Sequence, residues 1–425
     1  MATASAAPAT APAPAPTLRP TRGALRSYGP PLAVIAAIVV VYLVALRAGA
    51  SMAAFWAVGL AFGFIVQRSR LCFTSAFRDL FLMGQGRTMR GIIVGLAAAT
   101  LGFAMIMATV IPNPASGVFP SDAHILPLGV ATVVGGLMFG FGMVIAGGCV
   151  SGALYRMGEG YVASWVSIGG VMIGLYGLSR TWNWWWDNSI SMDPFVWLPT
   201  SMGYTGAIIL TLAGLAAVYF GVMWWERRTT GAMPVIPIKK REPAPPTTVA
   251  DDVRVLARRV FKQEWSPLVG ALALGLLNIL LFIRYRPLGV VGEISRWGND
   301  LAGSLGAGVG PLKGQEGLAG CAPVLTDGAS WFTDAFMLNI GIIGGAFAAA
   351  IFAREFRLRT PRSPRRYIQS LGGGVIMGYG AGLGLGCTIG AFFSAVPSLA
   401  LNGWVYAIAL AGGAFLGVQV IRRFP

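Results

Sequence analysis

The sequence predicts an all-α polytopic membrane protein with about ten transmembrane helices in two inverted repeats. Each repeat is expected to carry two re-entrant or broken cysteine-bearing segments, which together form an hourglass-like pathway. Three observations lead to this fold class: the composition, the length of the apolar runs, and a repeated glycine-cysteine motif. Of the 425 residues, 55% are hydrophobic and 11% are charged, whereas soluble domains average roughly 25% charged residues. So few charges on so long a chain indicate a protein that lies in a bilayer.

The apolar runs set the number of helices. A helix needs about 20 predominantly apolar residues to cross the hydrocarbon core of a bilayer, and ten runs approach or reach that length. The predicted crossings are 31–47, 52–67, 91–111, 127–146, 163–179, 206–225, 267–283, 335–353, 366–385 and 402–421.

A proline-rich linker divides the chain into two halves. Residues 1–30 form an Ala/Pro-rich tail whose composition is typical of disorder. The N-terminal transmembrane half spans 31–225, the linker 226–265, and the C-terminal half 266–425. Within the linker, residues 251–263 fit a surface helix and a solvated connector equally well. The first apolar run also resembles a signal peptide, but the preceding tail is too long for an ordinary n-region.

The distribution of basic residues predicts the orientation. The net charge is +16, but the lysines and arginines lie between apolar runs, so they indicate cytoplasmic anchors rather than a nucleic-acid partner. Basic clusters follow the second, sixth, eighth and tenth runs. The opposite connections, 112–126 and 180–205, carry only His124 and Arg180 as basic residues. We therefore expect both termini and the linker to be cytoplasmic.

The glycine-cysteine motif occurs once in each half. A shift of 238 residues places Gly148-Cys149 on Gly386-Cys387 and Gly152 on Gly390, without a gap over about twenty residues. Cys72 and Cys321 also occupy similar positions in the two halves. Each lies 19 or 20 residues before a related glycine-isoleucine run. Five crossings separate equivalent points of the two halves, so the halves are predicted to insert with opposite orientations, as in secondary transporters.

The four cysteines are the candidate transport residues. A single buried cysteine is usually inert packing, but four at repeat-equivalent positions favour a function. A neutral thiol is a weak donor with a soft sulfur, which suits a soft, sulfur-containing anion. Irregular backbone at membrane depth is tolerated only in a protein interior or a polar cavity, so the flanking glycines are expected to form tight turns that line the pathway. These glycines are Gly148, Gly152, Gly386 and Gly390.

Metal and cofactor sites are not predicted. No Cys-x-x-Cys pair occurs, which argues against a zinc site or a disulfide framework. The chain has one histidine, His124, and we expect it to be a solvated loop residue rather than a ligand.

Around these cysteines the sequence resembles the YeeE/YedE family of bacterial inner-membrane thiosulfate permeases. The resemblance rests on QRSRLCFTSAFRD, GFGMVIAGGCVSGALYRMGEG and GYGAGLGLGCTIGAFFS, and it covers roughly residues 52–179 and 267–421. It implies uptake of thiosulfate through the inner membrane, with the sulfur passed along cysteine thiols by weak S–H···S hydrogen bonds. Cys72, Cys149 and Cys387 match the functional cysteines of the family best, and Cys321 matches less well.

The same resemblance leaves several points open. A soluble cytoplasmic sulfur-carrier protein is a candidate partner besides the lipid bilayer, and the transported species could be another sulfur or selenium anion. Ion coupling is open too, because a proton carrier and a loop-end charge paired with arginine are both compatible with the acidic residues near the cysteines. These residues are Asp79, Glu159, Glu316, Asp327 and Asp334.

Two other functions compete with a permease. A membrane thiol oxidoreductase would relay electrons through the cysteines, but such enzymes usually need a closely spaced reactive pair. A soft-cation channel would use thiolates and methionines, but the sixteen methionines form no Met-x-x-Met array. Thiosulfate uptake by proteoliposomes separates these functions most directly.

Overall fold

The computed structural model describes residues 22–230, 255–256, 258–314, 318 and 332–423. These parts of the chain are built from helices, and their only extended pairings are isolated bridges. The α-helices are α1 Arg22–Ala48, α2 Ala50–Ser69, α3 Phe73–Met83, α4 Arg87–Val110, α5 Val130–Ala146, α6 Val150–Gly158, α7 Val162–Asn188, α8 Leu198–Thr230, α9 Pro267–Arg284, α10 Val291–Ser304, α11 Asp334–Phe352, α12 Pro364–Leu383 and α13 Leu401–Arg423. A short π-helix covers Thr388–Ser394.

The number of membrane crossings agrees with the prediction. Within the described ranges, nine helices or continuous helix pairs are long and apolar enough to cross a bilayer, and a tenth is the bent pair of α12 and the π-helix. The bend between those two segments is 45°. Each of the ten predicted crossings overlaps one of these elements, which confirms an all-α membrane protein with about ten spans.

Two predicted domain boundaries differ from the helix ends. Helix α1 begins at Arg22, inside the segment assigned to the tail, and α8 continues to Thr230, beyond the predicted start of the linker. Most of the linker lies outside the described residues.

Helices α5 and α12 cross at the centre through glycines, and they run antiparallel. A β-carbon added at Gly142 would lie 2.7 Å from the Gly373 carbonyl oxygen, and one added at Gly135 would lie 2.9 Å from that of Gly380. The 238-residue shift places Gly135 on Gly373 and Gly142 on Gly380. Each contact is therefore the counterpart of the other, as in a self-complementary two-fold interface. Small residues permit this close approach.

The other main helix pairs also join a helix of one half to a helix of the other half. Helix α2 packs along α11, and α9 packs along α4; α7 packs along α12, and α13 packs along α5. In each case a helix of the N-terminal half lies against one of the C-terminal half. The two halves therefore interleave in one bundle and do not form separate lobes.

His124 is buried and not solvated, contrary to the prediction. Its residue exposure is 4%, because the connection that carries it folds onto the segment after the π-helix. The His124 backbone N–H donates to Ser398 Oγ at 3.2 Å, and that of Leu126 donates to Asn402 Oδ1 at 3.4 Å. Burial, assisted by the positive charge of Arg286, lowers the pKa of His124 to about 4, so the imidazole is neutral near pH 7.

Candidate functional site

Three of the four predicted cysteines lie at helix starts inside the bundle. Cys72 is the N-cap of α3, Cys149 the N-cap of α6, and Cys387 the N-cap of the π-helix. Their residue exposures are 2%, 0% and 0%. The fourth, Cys321, lies outside the described residues, as do Glu316 and Asp327.

The same backbone turn precedes all three cysteines. Two positions before each one stands a residue in the left-handed conformation: Arg70 with φ 51°, Gly147 with φ 81° and Leu385 with φ 53°. This conformation is uncommon for residues other than glycine and costs roughly 1–2 kcal/mol. Its repetition shows that each long helix ends by one common turn, after which the cysteine opens a short helix.

The turn brings the thiols of Cys149 and Cys387 to backbone N–H groups at the starts of their short helices. The first N–H groups of a helix have no partner within the helix and carry partial positive charge. The Gly152 N–H donates to Cys149 Sγ at 3.4 Å, and the Ile389 N–H donates to Cys387 Sγ at 3.4 Å. These helix starts therefore provide both soft sulfur and N–H donors, a combination suited to an anion with sulfur and oxygen ends.

The thiols of Cys72 and Cys149 meet at Gly152. The position that a β-carbon would take at Gly152 lies 3.2 Å from Cys149 Sγ and 3.5 Å from Cys72 Sγ. Both sulfurs therefore border the same small gap beside Gly152. A close cysteine pair thus exists in space, although no such pair exists along the sequence.

The segment that carries Cys387 reaches the same place from the other half. The Thr388 hydroxyl lies beside the Cys149 thiol. The Phe73 ring, next to Cys72, packs edge-on against the Phe393 ring of the π-helix, with centroids 5.6 Å apart. The structure therefore gathers the starts of three short helices around Cys149.

Hydroxyl groups accompany all three thiols, and the sequence interpretation missed them. Ser151 Oγ lies 3.5 Å from Cys149 Sγ. Thr74 and Thr388 are fully buried, and their hydroxyls have no hydrogen-bond partner within the described part of the chain. The signal was present in the sequence, since a serine or threonine follows each of these cysteines within two residues.

The four predicted glycines have different surroundings. Gly152 borders both sulfurs, and a β-carbon at Gly386 would lie 2.6 Å from the Ala391 backbone nitrogen. Gly390 is buried inside the π-helix, and its carbonyl accepts the Ala395 N–H at 3.0 Å. At Gly148 a β-carbon would only touch Arg156 Nη1 at 3.5 Å. Close packing against backbone therefore requires glycine at Gly386 but not at Gly148, whereas a methyl group at Gly152 would meet only the two side-chain sulfurs.

Polar contacts hold the π-helix in position at its end and at the turn that precedes it. The Asn278 amide donates to Ser394 Oγ at 3.1 Å and accepts the Leu288 N–H at 2.9 Å. The Tyr406 hydroxyl donates to the Gly386 carbonyl at 3.0 Å. Because all these groups are buried, their bonds fix the orientation of the Cys387 turn.

Arg156 places a positive charge beside the Cys72 thiol. Its Nη2 lies 3.9 Å from Cys72 Sγ, and its Nε donates to the Tyr155 hydroxyl at 3.3 Å. Another guanidinium nitrogen donates to the Gly147 carbonyl. The sequence analysis considered arginines near the cysteines only as partners for loop-end carboxylates, whereas the structure places Arg156 next to Cys72.

A cluster of ion pairs lies near Cys72, at the end of α2. Arg68 pairs with Glu355 at 2.7 Å, and Arg70 pairs with Glu159 and Glu355 at 2.8 Å each. Burial raises the pKa of Glu159, although Arg70 opposes the shift. Asp79 pairs with Arg78 at 2.9 Å, so both carboxylates near Cys72 are paired with arginine.

A bundle of this kind defines the class of the protein. Helices that break at buried, small-residue turns near the bundle centre are typical of membrane transporters, in which irregular backbone lines a substrate path. The model of the sulphur transport family matches residues 68–416, a range that contains all four cysteines. The chain belongs to the sulphur transport family, and it is a multi-pass membrane protein rather than an enzyme.

Curated relatives agree with this assignment. The thiosulfate transporter TsuA of Spirochaeta thermophila is 31% identical over 367 residues, which cover 83% of this chain and 93% of the relative. TsuA of Escherichia coli is 26% identical over 378 residues, with coverages of 86% and 94%. A protein described as the probable transporter YedE of Escherichia coli is 35% identical over 176 residues, 40% of each chain.

Proposed function

We propose that this protein imports thiosulfate, or a closely related sulfur anion, through the bacterial inner membrane. The observation that carries the proposal is the convergence of three cysteine-started helices around Cys149. The soft cysteine sulfurs would contact the terminal sulfur of the anion. The N–H and hydroxyl groups beside them would donate hydrogen bonds to its oxygens. The names of the two full-length relatives support thiosulfate as the substrate.

The transfer step would use neutral thiols. A neutral thiol can donate an S–H bond to the anion, whereas a thiolate would repel it. Weak S–H···S contacts then let the anion pass from Cys387 and Cys149 to Cys72 without a covalent bond, and weak consecutive sites permit release. A soluble sulfur-carrier protein is the proposed recipient in the cytoplasm.

The two halves would form the inverted repeats of this transporter. The antiparallel crossing of α5 and α12 and the exchanged helix pairs support such a relation. Cys149 and Cys387 would then approach the centre from opposite sides of the membrane, with the narrowest point between them.

Expression of the protein should restore growth on thiosulfate to a bacterial host that lacks its sulfate and thiosulfate importers. Initial uptake of labelled thiosulfate by proteoliposomes is the direct measurement, with empty liposomes as the control. Absence of both growth and uptake, with protein detected in the membrane, would contradict the proposal. Growth on sulfite alone would assign a different sulfur anion.

The closeness of Cys72 and Cys149 gives the thiol oxidoreductase alternative a specific basis. A redox relay would convert this pair to a disulfide and back during turnover, whereas the permease leaves both thiols reduced. The two functions are distinguished by alkylating the denatured protein after a period of uptake and measuring the fraction of Cys72 and Cys149 that reacts. The redox relay predicts that a fraction does not react because it is held in a disulfide, whereas the permease predicts complete alkylation.

The linker and both termini should be inaccessible from outside the cell. In a Cys321→Ala background, Thr247→Cys in the linker should not react with an impermeant maleimide added to intact cells, whereas Ser121→Cys, on the opposite connection, should react. The reason is the concentration of arginine and lysine on the linker side. Labelling of Thr247→Cys from outside would reverse the proposed orientation.

A further inference from the structure

Besides the thiol site, the structure contains a cavity that none of the described cysteines lines. A cavity of about 300 Å³ opens beside the end of α5. Its wall includes Arg156, Arg359 and Arg366 and the hydroxyls of Ser164 and Ser167, and no aspartate or glutamate contributes to it. Three guanidinium groups around one small cavity are a concentration of positive charge that needs a counter-charge.

These arginines form no close ion pair with a described carboxylate, although Glu159 lies near enough to interact with Arg156 and Arg359. Within the described ranges, no carboxylate lies within 4.0 Å of Arg156, Arg359 or Arg366, although the neighbouring Arg68 and Arg70 are both paired. The nearby carboxylate of Glu159 is bonded to Arg70 and Gln67 instead. The protein therefore separates a paired cluster from an unpaired one within the same region.

Each of the three arginines keeps donors in reserve. Arg366 donates to the Ile145 and Ala146 carbonyls at the end of α5, at 3.3 and 3.0 Å. Arg359 lies over the Tyr161 ring, 4.5 Å from its centroid, and makes a weak bond to the Glu355 carbonyl at 3.4 Å. Since a guanidinium has five N–H donors, these contacts orient the groups and leave further donors on residues that line the cavity.

Ser167 supplies an independent sign of a missing ligand. Its residue exposure is 3%, it lines the cavity, and its hydroxyl has no hydrogen-bond partner in the described part of the chain. A buried hydroxyl without a partner is costly. An anion held by the arginines would accept its hydrogen bond.

We propose that Arg156, Arg359, Arg366 and Ser167 form an oxyanion-binding site beside the thiols. Planar guanidinium forks match the paired oxygens of a tetrahedral sulfate- or phosphate-like group. The site recognises oxygens and has no sulfur of its own, so it binds sulfate as well as thiosulfate. Its position on the cytoplasmic side depends on the proposed orientation, but the binding does not.

The site adjoins the thiol group through Arg156. This residue also lines a second cavity of about 380 Å³ that contains Cys72. An anion that leaves Cys72 would therefore meet Arg156 first and could then be held by Arg359 and Arg366.

The site is tested by measuring the binding of labelled sulfate to the full chain in nanodiscs of phosphatidylcholine. The ionic strength is held constant with chloride, so that only the sulfate concentration changes. Arg359→Gln should weaken binding by about tenfold or more, because a charge-assisted bond is lost. Ser167→Ala should weaken it by about threefold, without disturbing the contacts that cap α5. Arg365→Gln, an exposed neighbour outside the cavity, should bind like the wild type.

Two outcomes would overturn the site. One is equal sulfate binding by the wild type and Arg359→Gln; the other is a Ser167→Ala protein with unchanged affinity. Nanodiscs with phosphatidylglycerol separate the sources of the ligand: a free oxyanion binds without that lipid, whereas a lipid phosphate site would retain the lipid and exclude sulfate. Cys149→Ser should still bind sulfate, so a failure of thiosulfate transport and a failure of this site give different results.

Discussion

Cys149→Ser is expected to reduce thiosulfate uptake to the background of empty liposomes while the protein stays folded. Cys149 is fully buried between the Cys72 thiol and Thr388. Serine is of similar size and can still accept the Gly152 N–H, so the start of α6 keeps its cap. What is lost is the soft sulfur that we propose as the contact for the sulfur of the anion. The measurement is the initial rate of uptake by proteoliposomes, with thermal unfolding as the control for folding.

The remaining cysteines are expected to rank below Cys149. Cys149→Ala should abolish uptake, Cys72→Ala and Cys387→Ala should come close, and Cys321→Ala should cost least. Cys72 borders the same point as Cys149, and Cys387 opens the helix that faces both. If Cys149→Ser transports at the wild-type rate, the thiol is a small polar filler and the passage along thiols is wrong.

The sequence was sufficient to predict the helices, because apolar runs of sufficient length are local signals. The pairing of the glycine-cysteine motifs rests on a matched cysteine in a matched glycine frame, and it stays a prediction. The close approach of α5 and α12 through glycines was not predicted from the sequence. The interleaving of the halves, with α2 against α11, could not be predicted, because contacts between distant segments leave no local pattern.

The shared turn before the cysteines shows a further limit. Gly147 is an ordinary choice for a left-handed residue, but Arg70 and Leu385 are not, so residue type gave no signal at two of three positions. The same holds for Arg156, whose neighbours in sequence suggest a loop-end charge. His124 was misjudged because its connection is polar in sequence yet folds onto the Ser398 region, which supplies partners for its backbone.

Gly152→Ala should abolish thiosulfate uptake without destabilising the protein. The added methyl group would lie 3.2 Å from Cys149 Sγ and 3.5 Å from Cys72 Sγ, so it would occupy the gap where the two sulfurs converge. Alanine favours a helix over glycine by up to about 1 kcal/mol, and the sulfurs at this distance belong to side chains that can move. The net change in the free energy of unfolding should therefore stay within about 1 kcal/mol.

Gly169→Ala is the matched control for this prediction, because nothing lies within 4 Å of the added β-carbon on α7. It should gain the same helix propensity and transport like the wild type. Uptake by proteoliposomes and thermal unfolding of both variants decide the outcome. If Gly152→Ala transports normally, the anion does not pass between the two sulfurs. If it unfolds readily while Gly169→Ala does not, Gly152 serves the packing of the turn and the thiols need not be in contact with the substrate there.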